Sequence, residues 1–389
     1  MNLNAKIKAV KPSATLAVTA RANELKAKGV NVIPLAAGEP DFDTPEHIKQ
    51  AALKALAEGK TKYTPSAGIN ELREAVAVKL KLDNGLPYSA KQIVINSGAK
   101  HSLYNVFQIL LEPGDEVIVP SPYWVSYPEF VTLAGGTTVF LATTATSGFR
   151  ITPEQLEKAI TPKTRAFVLN SPSNPTGMGY DKAALEALTA VIRTHPNIVI
   201  VADEIYEKLT YGGFVHHSIA ALAPDLFDRT FTVNGFSKTY SMTGWRLGYT
   251  ACPDEQSAKA MASLQDQSTS GTTSFAQHGA LAALTGSQDC VTKLRAAFDE
   301  RRAFIVAALN KVPGVTCLDP QGAFYVFPDI SAWKIPSLEV SLKLLDDANI
   351  ALVPGSAFGA EGYVRMSFAT SLDNLREAIV RLTDWRKKI

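Results

Sequence analysis

The sequence predicts an α/β fold in two parts, a large domain on a mostly parallel sheet and a smaller α+β domain. Three observations carry that reading. The chain has 389 residues, 46% of them hydrophobic, which is enough for a substantial core and too long for one typical compact unit. From about residue 90 to 250, short β-branched runs alternate with amphipathic stretches. After about residue 285 the alternation gives way to longer, charged helical patterns.

Residues 1–45 carry Pro12, Pro34 and Pro40 and end in the turn-rich "LAAGEPDFDTP". They are expected to cross between the lobes, contributing to the small domain and the active site, rather than to form a domain. Residues 46–284 are expected to form the large domain. Within them "QIVIN", "EVIVP", "TTVFLA", "RAFVLN", "NIVIVAD", "TFTVNGF" and "LGYTACP" read as seven strands. After the first, Leu103, Val106, Phe107 and Leu110 follow i, i+3, i+4, i+7 spacing, the apolar face of a helix opening near Ser97. Strands apolar almost throughout, separated by helices, indicate a sheet covered on both faces. Residues 285–389 place the helical patterns "VTKLRAAFDERRAFIVAALNKV" and "SLDNLREAIVRLTDWRKK" around the strand-like "GAFYVFPDI" and "YVRMSFA", which suits a smaller α+β domain.

Composition excludes several function classes. Formal net charge is +2 with basic residues scattered, so no nucleic-acid partner is expected. Cys252, Cys290 and Cys317 are widely spaced in apolar or mixed sequence, which suits a reducing compartment, and no Cys/His cluster has zinc spacing, so no metal is expected. The first residues lack a continuous apolar stretch before a small-residue cleavage site, and nowhere do eighteen apolar residues run unbroken. A cytoplasmic protein with no membrane association is the expectation.

In open α/β sheets ligands sit beyond the carboxyl ends of strands, so the residues following each strand deserve the closest reading. "QIVIN" is followed by Ser97, Gly98, Ala99 and Lys100 at a predicted helix N-terminus. There Ser97 either caps the helix or belongs to a phosphate site. "RAFVLN" leads into "SPSNPTG", a rigid turn that aims the Asn174 amide. "NIVIVAD" ends in Asp203, with Tyr206 three positions on. A carboxylate there needs a cation or several donors, whether a ligand's, a structural arginine's or a helix cap's. "TFTVNGF" is followed by Ser237 and Lys238, and most lysines in such a loop have no particular role. If these groups share one edge, they assemble an amine, a carboxylate, an amide, a phenol and phosphate-binding groups. Pyridoxal 5′-phosphate needs that set: a lysine for its aldehyde, an anion for its ring nitrogen, donors for its phenolate oxygen and a helix N-terminus for its phosphate.

The chain resembles the class I aminotransferases of the aspartate aminotransferase family, with the pyridoxal-phosphate-dependent transferase fold of type I. The resemblance runs from "KPSAT" at residue 11 to the C-terminus and rests on "AGEPDFDTP", "YTPSAGINELREAV", "SGAKHSL", "SPYWVSYP", "NPTG", "DEIYEKL", "SKTYSMTGWRLGY" and "VRMSFA" in order. It implies that Lys238 holds the cofactor and moves the proton at the substrate Cα, the work of an amine with a lowered pKa. It implies Asp203 on the pyridine nitrogen, Tyr206 and Asn174 on the phenolate oxygen and Trp124 stacked on the ring. Ser97, Gly98, Ala99, Ser237 and Arg246 would form the phosphate cup. Tyr63 would reach the phosphate of a neighbouring subunit, making the active enzyme a homodimer with shared sites.

Arg365 alternates with Val364 and Met366 on a predicted strand, so it faces away from them. On the residues alone it is either a solvated edge or an inward cation; by the resemblance it binds the amino acid's α-carboxylate, with a backbone contact from Gly38. The second carboxylate of a dicarboxylic substrate needs a second cation. The best-known family members take it from a partner's arginine, yet "ASLQDQSTSGTTSFAQHGA" contains none. In the subgroup this chain resembles more closely, Lys100 and Thr15 would take that role, which implies L-aspartate and 2-oxoglutarate as the main amino and oxo acids and prephenate as a second acceptor. Three alternatives share parts of this pattern. Ser97 to Lys100 also fits the S-x-x-K of serine acyl-enzymes, but S-D-N and K-T-G do not occur. A pyridoxal enzyme for aromatic or other amino acids, or one of β-elimination type, would share Lys238 and Asp203. A non-catalytic effector domain would be expected to follow a basic DNA-binding module, and only about ten residues precede "KPSAT".

Overall fold

The structure, a computed structural model, describes residues 3–10 and 14–388, with the backbone alone at 14–17 and 19. Among the described residues there are twelve strands: β1 (Ile33–Pro34), β2 (Ile93–Asn96), β3 (Glu116–Ser121), β4 (Thr137–Ala142), β5 (Thr164–Asn170), β6 (Val199–Asp203), β7 (Thr230–Gly235), β8 (Gly248–Ala251), β9 (Tyr325–Val326), β10 (Ile350–Ala351), β11 (Val353–Pro354) and β12 (Val364–Ser367). The seven from β2 to β8 form one sheet in the order β2-β8-β7-β6-β5-β3-β4, built from the seven runs read in the sequence. All pairs are parallel except those of β8, which is antiparallel to both β2 and β7. Six strands therefore run one way, and the amino end of β8 reaches the edge where the other six have their carboxyl ends.

Both faces of this sheet are buried except along the edge strand β4, which has no buried residue. Along β5, Ala166 and Val168 join one core, with Leu103, Val106 and Phe107 of helix Ala99–Leu110. Phe167 and Leu169 join the opposite core, with Leu185, Leu188 and Ile192 of helix Lys182–Arg193. Each such side chain contributes roughly 1.5–3 kcal/mol on burial, which is why the strands read as continuous apolar runs rather than alternating ones.

The C-terminal part packs helices Asp289–Leu309, Ser337–Ala348 and Leu372–Arg386 around the antiparallel sheet β11-β12-β9. β1 pairs in parallel with β10, tying the N-terminal segment to this part. One core joins Ile205, Tyr206 and Leu209, just after β6, to Phe298, Phe324, Tyr325 and Met366. The end of β6 is thus pinned between the two sheets.

Three expectations need correction. The helix after β2 begins at Ala99 with Gly98 before it, and Ser97 does not cap it, because Gly98 turns the chain with φ +85° and the Ser97 N–H goes to Nδ1 of His101 at 3.2 Å. A helix spans Ala14–Ala27 inside the segment read as turn-rich; Pro12 and Pro34 flank it without interrupting a run rich in Ala, Leu, Arg, Glu and Lys, which are strong helix formers. Only Tyr325–Val326 of "GAFYVFPDI" is strand, since Ala323 has a positive φ and Pro328 lacks the N–H a longer ladder would need. Among the described residues no helix is long and apolar enough to cross a membrane.

Candidate active site

A cavity of about 400 Å³ opens at the edge where the six strands end. Of the residues singled out in the sequence, Gly38, Ala99, Lys100, Trp124, Asn174, Asp203, Tyr206, Ser237, Lys238, Arg246 and Arg365 line it. The topology explains the convergence. Ala99 and Lys100 follow β2, Trp124 follows β3, Asn174 follows β5, Asp203 ends β6, Ser237 and Lys238 follow β7, and Arg246 precedes the reversed β8.

Lys238 is half-buried, and its Nζ donates to the carbonyl oxygen of Gly38 at 2.6 Å. Burial pulls the amine down to about 8; Glu39 opposes that, while the charges of Arg365 and Arg246 add to it. A lysine so placed is a usable nucleophile and proton carrier near neutral pH.

Asp203 is 4% exposed. Its Oδ2 accepts from the Tyr127 hydroxyl at 2.6 Å and its Oδ1 from the Ile205 N–H at 3.3 Å. Burial pushes its carboxyl up to about 6 despite those donors. The site therefore holds a carboxylate short of a positive partner, which a protonated ring nitrogen would supply.

At the other end, Gly98 and Arg246 interlock. A Cβ at Gly98 would lie 2.6 Å from Nη2 of Arg246, so a side chain there would push the guanidinium from its present place. Arg246 donates to the carbonyls of Thr243 at 2.9 Å and Ser97 at 3.2 Å, neither of them charged. With the N-terminus of helix Ala99–Leu110 and Ser237 alongside, this is a cradle for a phosphate. Amine, acid and cradle together fit pyridoxal phosphate, with Asn174, Tyr206 and Trp124 lining the space between them.

Arg365 is 2% exposed and lies inward, not at a solvated edge. Nη1 donates to Oδ1 of Asn174 at 3.0 Å and Nη2 to the carbonyl of Ala36 at 2.9 Å, while Nε has no acceptor among the described residues. Burial lowers its pKa, with the nearby Tyr325 and Tyr206 opposing. Lys100 makes no ion pair with a described residue; its Nζ lies 5.2 Å from the centre of the Trp124 ring. Burial, then the charge of Arg246, lowers its pKa. Besides Lys238 and Arg246, the cavity thus presents Arg365 and Lys100, two cations with no carboxylate of a described residue attached to either.

Ser97 and Gly98, in the turn before Ala99, are not among the residues that line the cavity, and neither is Tyr63. Tyr63 is 95% exposed. Thr15 falls in helix Ala14–Ala27, and its side chain lies outside the described residues. Conversely, sequence reasoning passed over Tyr127, Tyr325 and Glu39, which also line the cavity. Tyr127 stood inside the quoted "SPYWVSYP" and Glu39 inside "AGEPDFDTP", so both were within view. Tyr325, in "GAFYVFPDI", reads as an ordinary core residue.

Residues 30–382 match the family model described as aminotransferase class I and II. The chain is 52% identical over 389 residues to an aspartate aminotransferase of Geobacillus stearothermophilus, with 98% of each chain covered. It is 50% identical over 383 residues to an aspartate/prephenate aminotransferase of Cereibacter sphaeroides, with 96% of each covered. Among solved structures, the aspartate aminotransferase from Rhizobium meliloti superimposes with a TM-score of 0.96 at 43% identity, covering 100% of this chain and 99% of that one. The aspartate aminotransferase from Thermus thermophilus with maleate gives 0.94 at 47% identity, covering 99% and 100%.

Proposed function

The chain belongs to the class I and II aminotransferases, and from that premise we propose that it moves the amino group of L-aspartate to 2-oxoglutarate, giving oxaloacetate and L-glutamate, with prephenate as a second acceptor. The observation that carries the reading is the pair of cations, Arg365 and Lys100, lining one cavity with Lys238. A dicarboxylic amino acid has a carboxylate for each. The similar Thermus structure holds maleate, itself a four-carbon dicarboxylate, and the relatives include both aspartate and aspartate/prephenate enzymes. A lysine on a flexible stem suits acids of different length better than a rigid fork would, which favours prephenate as a further acceptor.

We assign pyridoxal phosphate as the cofactor, which when bound supplies an electrophilic carbonyl and an electron-accepting ring. Lys238 anchors it, Asp203 keeps the ring nitrogen protonated, and Asn174 and Tyr206 donate to the phenolate oxygen. Trp124 covers the ring, and Ala99, Ser237 and Arg246 hold the phosphate with the Ser97–Gly98 turn behind them. Arg365 and the Gly38 backbone orient the amino acid through its α-carboxylate, Lys100 takes the distal one, and Thr15 is assigned to assist it. The Nζ of Lys238 then takes the proton from Cα, because burial lowers its pKa to about 8 and so leaves more of the amine unprotonated near neutral pH.

We further assign the active form as a homodimer in the cytoplasm. Tyr63 suits a contact with the partner's phosphate, since a tyrosine 95% exposed has no use for its ring within its own chain. Three free cysteines, two of them buried, suit a reducing compartment.

The test is the absorbance spectrum of the protein loaded with pyridoxal phosphate. Adding L-aspartate without acceptor is expected to shift the visible band to the near ultraviolet, and 2-oxoglutarate to restore it. A visible band absent from wild type and Lys238→Ala alike would end the reading at its first step.

A further inference from the structure

Tyr325 sits in β9, 1% exposed, among side chains the reaction uses. Its hydroxyl lies 3.1 Å from that of Tyr206, and either can donate. Its ring lies under Arg365, with the guanidinium carbon 4.4 Å from the ring centre; Phe358 flanks the same guanidinium at 5.1 Å. A Cβ at Gly38 would come within 3.6 Å of the Tyr325 oxygen. The residue therefore touches the groups assigned to the α-carboxylate and to the cofactor's phenolate oxygen.

A purely packing role does not account for the hydroxyl. Phe324, the preceding residue, is fully buried, so this part of the core accepts phenylalanine readily. A buried hydroxyl without a partner is costly. The partner it finds is Tyr206, whose own hydroxyl must donate to an acceptor in the cavity to do its work. If Tyr325 donates to the Tyr206 oxygen, the Tyr206 proton is free to point outward, and a hydroxyl that accepts is also the stronger donor. The ring has a matching role. Arg365 has only carbonyl oxygens for partners among the described residues, and two aromatic faces stabilise its charge while leaving N–H groups for an incoming carboxylate.

We propose that Tyr325 is a positioning residue: its hydroxyl sets the direction in which Tyr206 donates, and its ring holds the Arg365 guanidinium ready for the substrate carboxylate. This rests on the reading of Tyr206 as a ligand of the cofactor's phenolate oxygen. The other titratable groups facing the pair are Arg365, Asp203, Glu39 and Lys238.

Tyr325→Phe, Tyr325→Leu and Tyr206→Phe, each loaded with pyridoxal phosphate, separate the parts. The readouts are the pH midpoint at which the visible absorbance changes, and KM and kcat for L-aspartate. Weaker donation to the phenolate oxygen leaves it more able to hold a neighbouring proton, so Tyr206→Phe is expected to raise the midpoint. Tyr325→Phe should raise it in the same direction by a smaller amount, about half a pH unit, with KM within about twofold of wild type. Tyr325→Leu should also raise KM by roughly tenfold as the cation loses an aromatic face. A midpoint moved by Tyr206→Phe but not by Tyr325→Phe overturns the hydroxyl's role, and an unchanged KM in Tyr325→Leu overturns the ring's. Midpoints unmoved in all three overturn the assignment of Tyr206 instead, and this inference with it. Should Tyr325→Leu not fold, Tyr325→Met replaces it in the KM comparison.

Discussion

Tyr127 donates its hydroxyl proton to Oδ2 of Asp203 at 2.6 Å, and both side chains are buried. That bond does not offset the cost of burying the carboxylate, whose pKa stands at about 6 against an ordinary 3.8. The sign follows directly. A carboxyl whose folded value lies above its unfolded one binds protons more tightly when folded, so it lowers stability as pH rises from 3.8 through about 6. The shift of about two units is worth roughly 3 kcal/mol at neutral pH. Cofactor-free Asp203→Asn is therefore expected to melt higher than cofactor-free wild type at pH 8 and to match it more closely near pH 4. Its catalytic activity should nevertheless collapse. Equal melting temperatures at pH 8 would show that Asp203 already has a compensating partner.

Gly98 allows Arg246 to approach, and a methyl group there would meet Nη2 at 2.6 Å and Cζ at 3.1 Å. The φ of +85° adds strain of order 1–2 kcal/mol for a residue with a side chain. Gly98→Ala is expected to fold and to bind pyridoxal phosphate at least about tenfold more weakly, because the displaced guanidinium loses a charge-assisted pair. Equilibrium dialysis against the cofactor measures this directly. Wild-type affinity would mean that Arg246 is not a phosphate ligand.

Much of this arrangement was legible because the sheet makes it so. β5 and β6 are buried on both faces, so Asp203 stands out as a polar end to an apolar run, and Asn174 and Lys238 fall in the turns that follow their strands. On its own residues Arg365 was legible only as an alternation on its strand; the family resemblance put it on the substrate carboxylate, and the fold places it in the interior. Tyr325 was not legible at all. Nothing local distinguishes its hydroxyl from a core ring, and its partner Tyr206 is 119 positions away. Glu204 and Glu207 were hidden for a related reason: they lie within the same "DEIYEKL" that supplies Asp203 and Tyr206, but Lys79, the partner of Glu207, is 128 positions away from it, and Asn84, which donates to both glutamates, lies on the same distant helix.

Lys100 has no carboxylate partner among the described residues, and desolvation has already lowered its pKa. Lys100→Ala is expected to lower kcat/KM for L-aspartate by roughly 10- to 100-fold, the worth of one charge-assisted hydrogen bond. An amino acid without a side-chain carboxylate should change by less than about twofold. On the alkaline side, the wild-type preference for aspartate should fade at a lower pH than an ordinary lysine would dictate, as Lys100 loses its charge. Unchanged aspartate kinetics in the variant would remove Lys100 from the substrate assignment.

Behind Asp203 lies a second group of charges. Glu204, Glu207 and His216 bring ligand-type atoms within 4.8 Å of one another, yet Lys79 already contacts Glu207, and the Asn84 amide donates to Oε2 of Glu207 at 2.6 Å. Nε2 of His216 is 3.3 Å from Oε2 of Glu204, near enough to pair though not aligned as a hydrogen bond. Asp83 and Lys208 pair at 2.8 Å on its margin, with Lys79 3.9 Å from the same carboxylate oxygen. Two carboxylates against one lysine leave a negative charge that an imidazolium cancels. Burial works against protonation of His216, but the charge of Glu204 and then that of Glu207 outweigh it and raise the pKa above the usual 6.5. Burial likewise works to raise Glu207, and Lys79 and His216 outweigh it and hold it below 4.5. A histidine raised on folding contributes stability that is full below 6.5 and is lost as pH climbs through its folded value. A glutamate lowered on folding contributes stability present above 4.5 and lost as pH falls through its folded value. The cluster should therefore stabilise the protein most between about pH 4.5 and 6.5, and His216→Asn should cost more at pH 6 than at pH 9. Melting temperatures of the two proteins across that range make the comparison, and a difference that stays constant with pH would mean that folding does not shift the His216 pKa.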